Sequence, residues 1–195
     1  MNINKTDKKY LKSICKRQNI ELTQNKVNNT YDLDIFVNTI QNSIPEVFTM
    51  DYFLDLFKNL DMTNEFIESS HIIKKYNDYD YDFLVIFRHL GKQFGALKKY
   101  LCFNIKQTTD QYNNIIFNAV NIDYTSDAIS HLDKVILHYA DLTVVCDKTD
   151  NRKAWIHNNF NVEIDKNLSK IVLNFINLVM KNMVINLKRY IDTTL

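Results

Sequence analysis

The chain has 195 residues, of which 46% are hydrophobic and 24% are charged, and its formal net charge at pH 7 is +1. A chain of this composition can bury a core, and its charge provides no overall field that would attract nucleic acid. It contains two glycines and one proline. Phosphate-binding loops need glycines at fixed offsets, so the sequence excludes P-loop, Rossmann and glycine-rich-loop kinase sites.

The scarcity of glycine also bears on the fold class. Two-residue hairpins favour Asn-Gly or Asp-Gly turns, and neither dipeptide occurs in the sequence. A sheet built from many hairpins is therefore disfavoured, whereas a helical protein can turn on Asn, Asp, Ser and Thr. The 25 asparagines are typical of AT-rich coding DNA, and we interpret them first as a signal of the source.

Apolar residues recur at helical spacing along the chain. Shorter helices are predicted over residues 5–19 and from Asp32 or Asp34 to Ser43. Further helices are predicted to begin at Thr49, at Thr63, and at Thr109 or Asp110. Three longer helices are predicted over residues 83–105, over residues 126–146, and from about Glu163 to the C-terminus. Polar connectors at residues 20–30 and 74–81 separate some of these segments.

We therefore expect an all-α fold, an up-down bundle of long helices with an N-terminal extension of short helices. The extension covers residues 1–75 and packs on a bundle of residues 76–195, as one continuous domain overall. Gly91 and Gly95 both lie in the predicted 83–105 helix. Their spacing permits close approach of a second helix, within the bundle or across a dimer. Tolerated surface glycines are an equal alternative.

The cysteines and the hydropathy indicate a compartment. Cys15, Cys102 and Cys146 are odd in number and form no C-x-x-C motif, which predicts reduced thiols in an intracellular protein. The N-terminus lacks the apolar region of a signal peptide, and no apolar stretch reaches the roughly 18 residues of a spanning helix. We expect a soluble, cytoplasmic protein, in the host cytoplasm if the source is viral, with no membrane partner.

A candidate catalytic pair lies in the segment N-R-K-A-W-I-H-N-N-F, where Arg152 and His157 are five residues apart. At a helix start, both side chains could turn toward one pocket. Histidine can accept or donate a proton near neutral pH, and a guanidinium can neutralise charge that develops on phosphorus. A solvated Arg152 and a packed or capping His157 are the structural alternative.

This segment resembles the Arg-x-x-x-x-His motif of the HEPN family of helical nucleases and toxins. The resemblance covers about residues 80–190, and it implies that the motif lies between two long helices of a bundle. It further implies metal-independent RNA cleavage by a dimer, with Arg152 as phosphate stabiliser and His157 as general acid and base. Lys153 stands where many members have Asn, and Asn158-Asn159-Phe160 differs from the usual residues after the histidine.

The expected function is accordingly that of an endoribonuclease of toxin or phage-defence type. Lys153 and the cations of the last helix are candidates for steering RNA, which are Lys170, Lys188 and Arg189. No cofactor and no metal are expected. His131 and His138 are seven residues apart, which places helical imidazoles roughly 10 Å apart and prevents both from binding one metal.

Two other classes of function stay open. The first is a non-catalytic helical interaction protein, either an immunity protein or a viral helical-bundle decoy, that binds a protein partner. The second is an accessory protein that binds nucleic acid, which the near-zero net charge disfavours.

Overall fold

The structure is a computed structural model that describes residues 10–39, 42–55, 66–89, 92, 97–163 and 170–194. Its main element is one nine-stranded sheet in which all strands adjacent in the order pair antiparallel. The all-α prediction is wrong, and so is the division into short N-terminal helices and a long-helix bundle.

The strands and helices follow one another with mostly short connections. The strands are β1 (Leu11–Arg17), β2 (Ile20–Asn25), β3 (Thr30–Asn38), β4 (Ile67–Asn77), β5 (Asp80–Phe87), β6 (Lys99–Thr109), β7 (Ile115–Asn121), β8 (Asp133–Cys146) and β9 (Lys153–Glu163). The helices are α1 (Ile44–Val47), α2 (residues 50–55) and α3 (Lys170–Thr194). The order across the sheet is β1-β2-β3-β9-β8-β7-β6-β5-β4, so β3 pairs with β9 although β9 is the last strand in sequence.

Asparagine adopts the left-handed turn conformation for which glycine is the usual residue. Asn19, Asn29 and Asn113 have φ values of 65°, 55° and 63°, and each lies in a turn between two antiparallel strands. Asparagine tolerates this left-handed region better than other residues with a Cβ atom. The abundance of asparagine is therefore in part a structural signal, and the missing Asn-Gly dipeptides did not exclude hairpins.

Side-chain oxygens in other turns accept backbone hydrogen bonds two residues further on. The Asn77 Oδ1 atom accepts from the Tyr79 N–H at 2.8 Å, and the Asp147 Oδ1 atom accepts from the Thr149 N–H at 2.7 Å. These are Asx turns, which replace a backbone turn by a side-chain contact. The polar connector predicted at residues 74–81 thus contains the hairpin turn between β4 and β5.

The helical spacing of apolar residues between 83 and 105 arises from buried strands rather than from a helix. Strand β5 is buried on both faces, because Phe83 and Val85 join the main core while Leu84 packs in a second cluster with Cys102 and Ile129. Residues 122–132, between β7 and β8, contribute apolar residues to that second cluster. A strand that is buried on both faces is a continuous apolar run, and such a run fits a helical period as well as a strand.

The main core lies between one face of the sheet and the helices. We call this face the inner face and the opposite one the outer face. Helix α3 contacts β1, β2 and β3, and its core-facing residues recur at three- and four-residue intervals, at Met180, Val184, Leu187 and Ile191. The final helix and the helical residues after Thr49 are where the sequence predicted helices.

The sheet is continuous across residue 75, because β4 contains that residue. The boundary between residues 1–75 and 76–195 stays a prediction about domain organisation. The cysteines Cys15, Cys102 and Cys146 are free thiols, and burial raises the pKa of the Cys102 thiol to about 11.

The turn between β6 and β7 supplies a stability test. We expect Asn113→Ala to lower the free energy of unfolding by about 1 kcal/mol, because alanine meets a steric penalty at positive φ without the local hydrogen bonds of asparagine. Asn113→Gly should retain the wild-type value, since glycine has no Cβ atom. Urea unfolding measures both, with Tyr112→Ala, at a 71% exposed neighbouring side chain, as control. Equal effects of the alanine and glycine variants would contradict the assignment.

Candidate functional site

The strand register defines which side chains share the inner face. Residues directly opposite each other in an antiparallel pair project to the same side of the sheet. One cross-strand row on the inner face consists of Leu22, Leu33, Asn158, Leu142, Phe117 and Gln107. The adjacent row consists of Tyr31, Phe160, Ala140, Ala119, Ile105 and Tyr81. The inner face is thus apolar except at a few positions.

Four neighbouring residues at the centre of this face are only half-buried. Ala140 is opposite Phe160, and Leu142 is opposite Asn158, so the four form one compact group on β8 and β9. We call this group the central patch. Ile156 and Val144, which adjoin it on the inner face, are fully buried. The inner face is therefore packed more completely on this side of the central patch than at the patch itself.

The helices cover the inner face beside the central patch. The Phe53 ring of α2 stacks on the Phe117 ring of β7 with their centroids 5.1 Å apart, and Tyr52 stacks with Tyr190 of α3 at 6.3 Å. These contacts join α2, α3 and the sheet. Some apolar helix residues that pack against the core are also only partly buried, among them Met180, Leu187 and Tyr190. The central patch and the helices thus both present incompletely buried apolar surface.

Charge is absent from much of this surface. No inner-face side chain of β7, of β9, or of β8 from Val135 onward is charged, among the residues that the structure describes. An ion pair in register with this face lies at one end of the sheet, where Lys99 Nζ is 3.1 Å from Asp133 Oδ2. A charged ligand group would find no counter-charge in the described part of the central patch.

Four buried side-chain oxygens accept no hydrogen bond from the described residues. They are Ser70 Oγ, Gln107 Oε1, Asn121 Oδ1 and Asn158 Oδ1. The strand register places all four residues on the inner face. Buried polar atoms in folded proteins are almost always paired, so four such oxygens on one face are an unusual feature of this sheet.

None of these four residues stood out in the sequence. A polar residue among apolar ones at alternating positions is the only local signal, and β9 carries it at Asn158 between Ile156 and Phe160. That signal has meaning only after the segment is known to be a strand, because the facing direction of each residue follows from the two-residue period.

The structure separates the candidate pair Arg152 and His157. Arg152 lies in the turn before β9, and His157 lies on the outer face, with Nδ1 2.8 Å from Asp34 Oδ1. Five residues of strand span about 16 Å, so the two side chains do not converge on one pocket. The convergence expected at a helix start does not occur, because this segment is a strand.

Arg152 and Lys153 share a carboxylate. Arg152 Nε is 3.1 Å from Asp150 Oδ1, and Lys153 Nζ is 2.9 Å from Asp150 Oδ2. Hydrogen bonds from Lys153 and then from Arg152 lower the pKa of Asp150 to about 2. Both cations therefore serve the β8–β9 hairpin turn in this structure.

The remaining candidates are dispersed. Lys170 is the first residue of α3, Lys188 of the same helix pairs with Asp192, and Arg189 is exposed on α3. His138 lies in β8, and its Nε2 atom is 3.2 Å from Glu163 Oε2. Gly91 and Gly95 lie outside the described residues, so their role in helix packing stays a prediction.

No group of three or more His, Cys, Asp or Glu side chains among the described residues could hold a metal ion. No helix in that part of the chain is both long and apolar enough to cross a bilayer.

The fold is that of the StAR-related lipid transfer proteins. The structure is similar to human StAR-related lipid transfer protein 5, with a TM-score of 0.70 and 12% identity over 93% of this chain and 86% of that chain. Human STARD10 gives a TM-score of 0.68 at 8% identity, over 93% of this chain and 72% of that one. A STAR-related lipid transfer protein from Xanthomonas axonopodis gives 0.66 at 9% identity, over 93% and 98%. No protein-family model and no curated protein matches the sequence.

These similarities correct the functional expectations. The HEPN resemblance is wrong, because the motif-bearing segment is a strand of a lipid-transfer fold rather than a junction between bundle helices. The ribonuclease function and the alternative of a helical immunity protein or decoy depended on that bundle and are wrong as well. The expected RNA substrate, the motif-bearing dimer and the helical protein partner are wrong for the same reason.

Acid titration tests the role of Asp150. A carboxyl whose pKa is lowered on folding contributes stability at pH values above its unfolded pKa of about 4. This contribution disappears as the pH falls toward the folded pKa of Asp150, which is about 2. We expect the melting temperatures of wild type and Asp150→Asn to differ most above pH 4 and to converge by pH 2. Thermal melts followed by circular dichroism measure this. A constant difference between pH 5 and pH 2 would contradict the shifted pKa.

Proposed function

We propose that this protein binds an apolar small molecule of the lipid class on the inner face, between the central patch and helices α2 and α3. The carrying observation is the half-burial of Ala140, Leu142 and Phe160 at the middle of a face where Ile156, Val144 and Phe117 are fully buried. Apolar surface in the interior of a domain is normally packed at crystal-like density. A ligand that covers these residues would complete the packing.

The chemistry of the surface supports an apolar occupant. The central patch contributes one methyl group, one branched alkyl group and one aromatic ring, and the facing helices contribute Met180 and Leu187. Burial of apolar area stabilises a complex by about 25 cal/mol per Å², and removal of a hydrocarbon chain from water is a large source of this energy. Binding sites of this kind are mostly apolar with a few polar groups.

The structural neighbours support the same class of ligand. Two of the solved proteins named above, the human StAR-related lipid transfer protein 5 and the protein from Xanthomonas axonopodis, carry lipid transfer in their names. Their identities to this chain are at most 12%, so the proposal for this chain stands on its own inner face. The similarity adds that a fold of this topology accommodates such ligands.

Two alanines reduce the side-chain volume beside the central patch. Ala119 and Ala140 are opposite each other on β7 and β8, and each side chain is a single methyl group. Their row also contains Phe160, which stacks on Tyr31 with ring centroids 5.1 Å apart. The least side-chain volume in this row is therefore at the alanine pair.

A substitution that fills the proposed ligand site with a larger side chain tests the proposal. We expect Ala140→Phe to weaken binding of a fluorescent acyl-chain probe at least roughly tenfold, because the new ring occupies the space of the ligand. Val145→Phe is the matched control, since Val145 is in the same strand, projects to the outer face and is 41% exposed. Probe fluorescence in a titration measures both affinities.

The stability of the filled variant provides a second readout. If the space is empty without ligand, the ring of Ala140→Phe fits and the free energy of unfolding stays near the wild-type value. If side chains already fill it, overpacking lowers that free energy by about 1–3 kcal/mol. Unchanged probe binding in Ala140→Phe, or a wild-type protein that does not bind the probe, would overturn the proposed function.

A further inference from the structure

The position of Asn158 sets it apart from the other unpaired polar residues. Gln107 is near the end of β6, Asn121 ends β7, and Ser70 lies on β4, which is an edge strand of the sheet. Asn158 is at the middle of β9, which pairs on both sides with other strands. It is the polar member of the central patch.

The neighbours of Asn158 are apolar in every direction within the inner face. Leu33 and Leu142 are opposite it on the two adjacent strands, and Ile156 and Phe160 precede and follow it on the same face. Its Oδ1 atom is buried and accepts no hydrogen bond from the described residues. A carboxamide in such surroundings loses its hydration without compensation.

Part of Asn158 remains accessible, since the residue as a whole is half-buried. A half-turn of the carboxamide about its Cβ–Cγ bond exchanges the oxygen and the nitrogen, so either atom can be presented to a ligand. A carboxylate only accepts hydrogen bonds and an ammonium group only donates them. A hydroxyl group does both, so it can pair with whichever atom the carboxamide presents.

We infer that Asn158 is the polar anchor of the ligand site and that it selects a neutral, hydroxyl-bearing apolar molecule. This inference rests on the proposed function. The ligand hydroxyl donates to the Asn158 oxygen or accepts from its amide nitrogen, while the hydrocarbon part covers Ala140, Leu142 and Phe160. The absence of charge on the described inner face of β7 and β9 disfavours a ligand whose ionised group must enter the same place.

Three probes of equal chain length distinguish the ligand classes. They are 1-dodecanol, dodecane and dodecanoate, and each competes with the fluorescent acyl-chain probe for the full chain. We expect Asn158→Leu to weaken binding of 1-dodecanol about tenfold, the effect of one lost hydrogen bond at an otherwise apolar site. Binding of dodecane should stay unchanged or improve, because leucine conserves the volume and adds apolar surface.

The control substitution is Asn161→Leu on the same strand. Asn161 alternates with Asn158 and projects to the outer face, where its side-chain nitrogen donates to the Asn28 carbonyl at 3.0 Å. We expect this variant to bind all three probes as the wild type does. Asn158→Ala serves as a second variant if Asn158→Leu fails to fold, and circular dichroism verifies the fold of each.

The outcomes separate the inference from the function on which it rests. If the wild type binds the acyl probe but Asn158→Leu changes 1-dodecanol and dodecane equally, the anchor role is refuted and the lipid-binding proposal stands. If dodecanoate binds as tightly as 1-dodecanol and depends on Asn158 to the same degree, the neutral-ligand selection is refuted. If the wild type binds none of the probes, the proposed function itself fails.

Discussion

The pairing of β3 with β9 is the interaction on which the rest of the structure depends. It joins residues more than a hundred positions apart, as shown by the contact of Asp34 with His157 at a separation of 123 residues, and it makes one sheet of the N-terminal hairpins and the β4–β9 meander. Because β1–β3 also carry the contacts of α3, this pairing positions the helix over the inner face. Such non-local pairing costs loop-closure entropy that local hairpins do not.

The polar residues on the two faces of β9 have different environments. On the outer face, His157, Asn159 and their partners Asp34 and Asp32 satisfy one another across β3 and β9. On the inner face Asn158 has no such partner among the described residues. The same residue type, one position apart, is structural on one side and available for a ligand on the other, because successive side chains of a strand point in opposite directions.

Some elements were predictable and others were not, for identifiable reasons. The final helix was predicted because it keeps one apolar stripe at helical spacing over many turns, and the residues after Thr49 were predicted by the same pattern. Strand β5 fits a predicted helix because both of its faces are buried, which makes its sequence a continuous apolar run. The hairpins are not evident from the sequence, because Asn19, Asn29 and Asn113 adopt the positive φ for which glycine is the usual residue. The expected convergence of Arg152 and His157 assumed a helix start, whereas this segment is a strand.

The amino-acid sequence by itself determined that this chain has enough apolar residues for a packed core and lacks the glycines of a phosphate-binding loop. It also contained the turn-forming asparagines and the stripe of α3, both of which are local properties. Only the tertiary structure decided which strands pair, which side of each strand is interior, and that Ala140, Leu142, Asn158 and Phe160 meet. Those residues come from two strands, and their grouping depends on the register, which no local pattern specifies because a shift of one residue reverses every side chain.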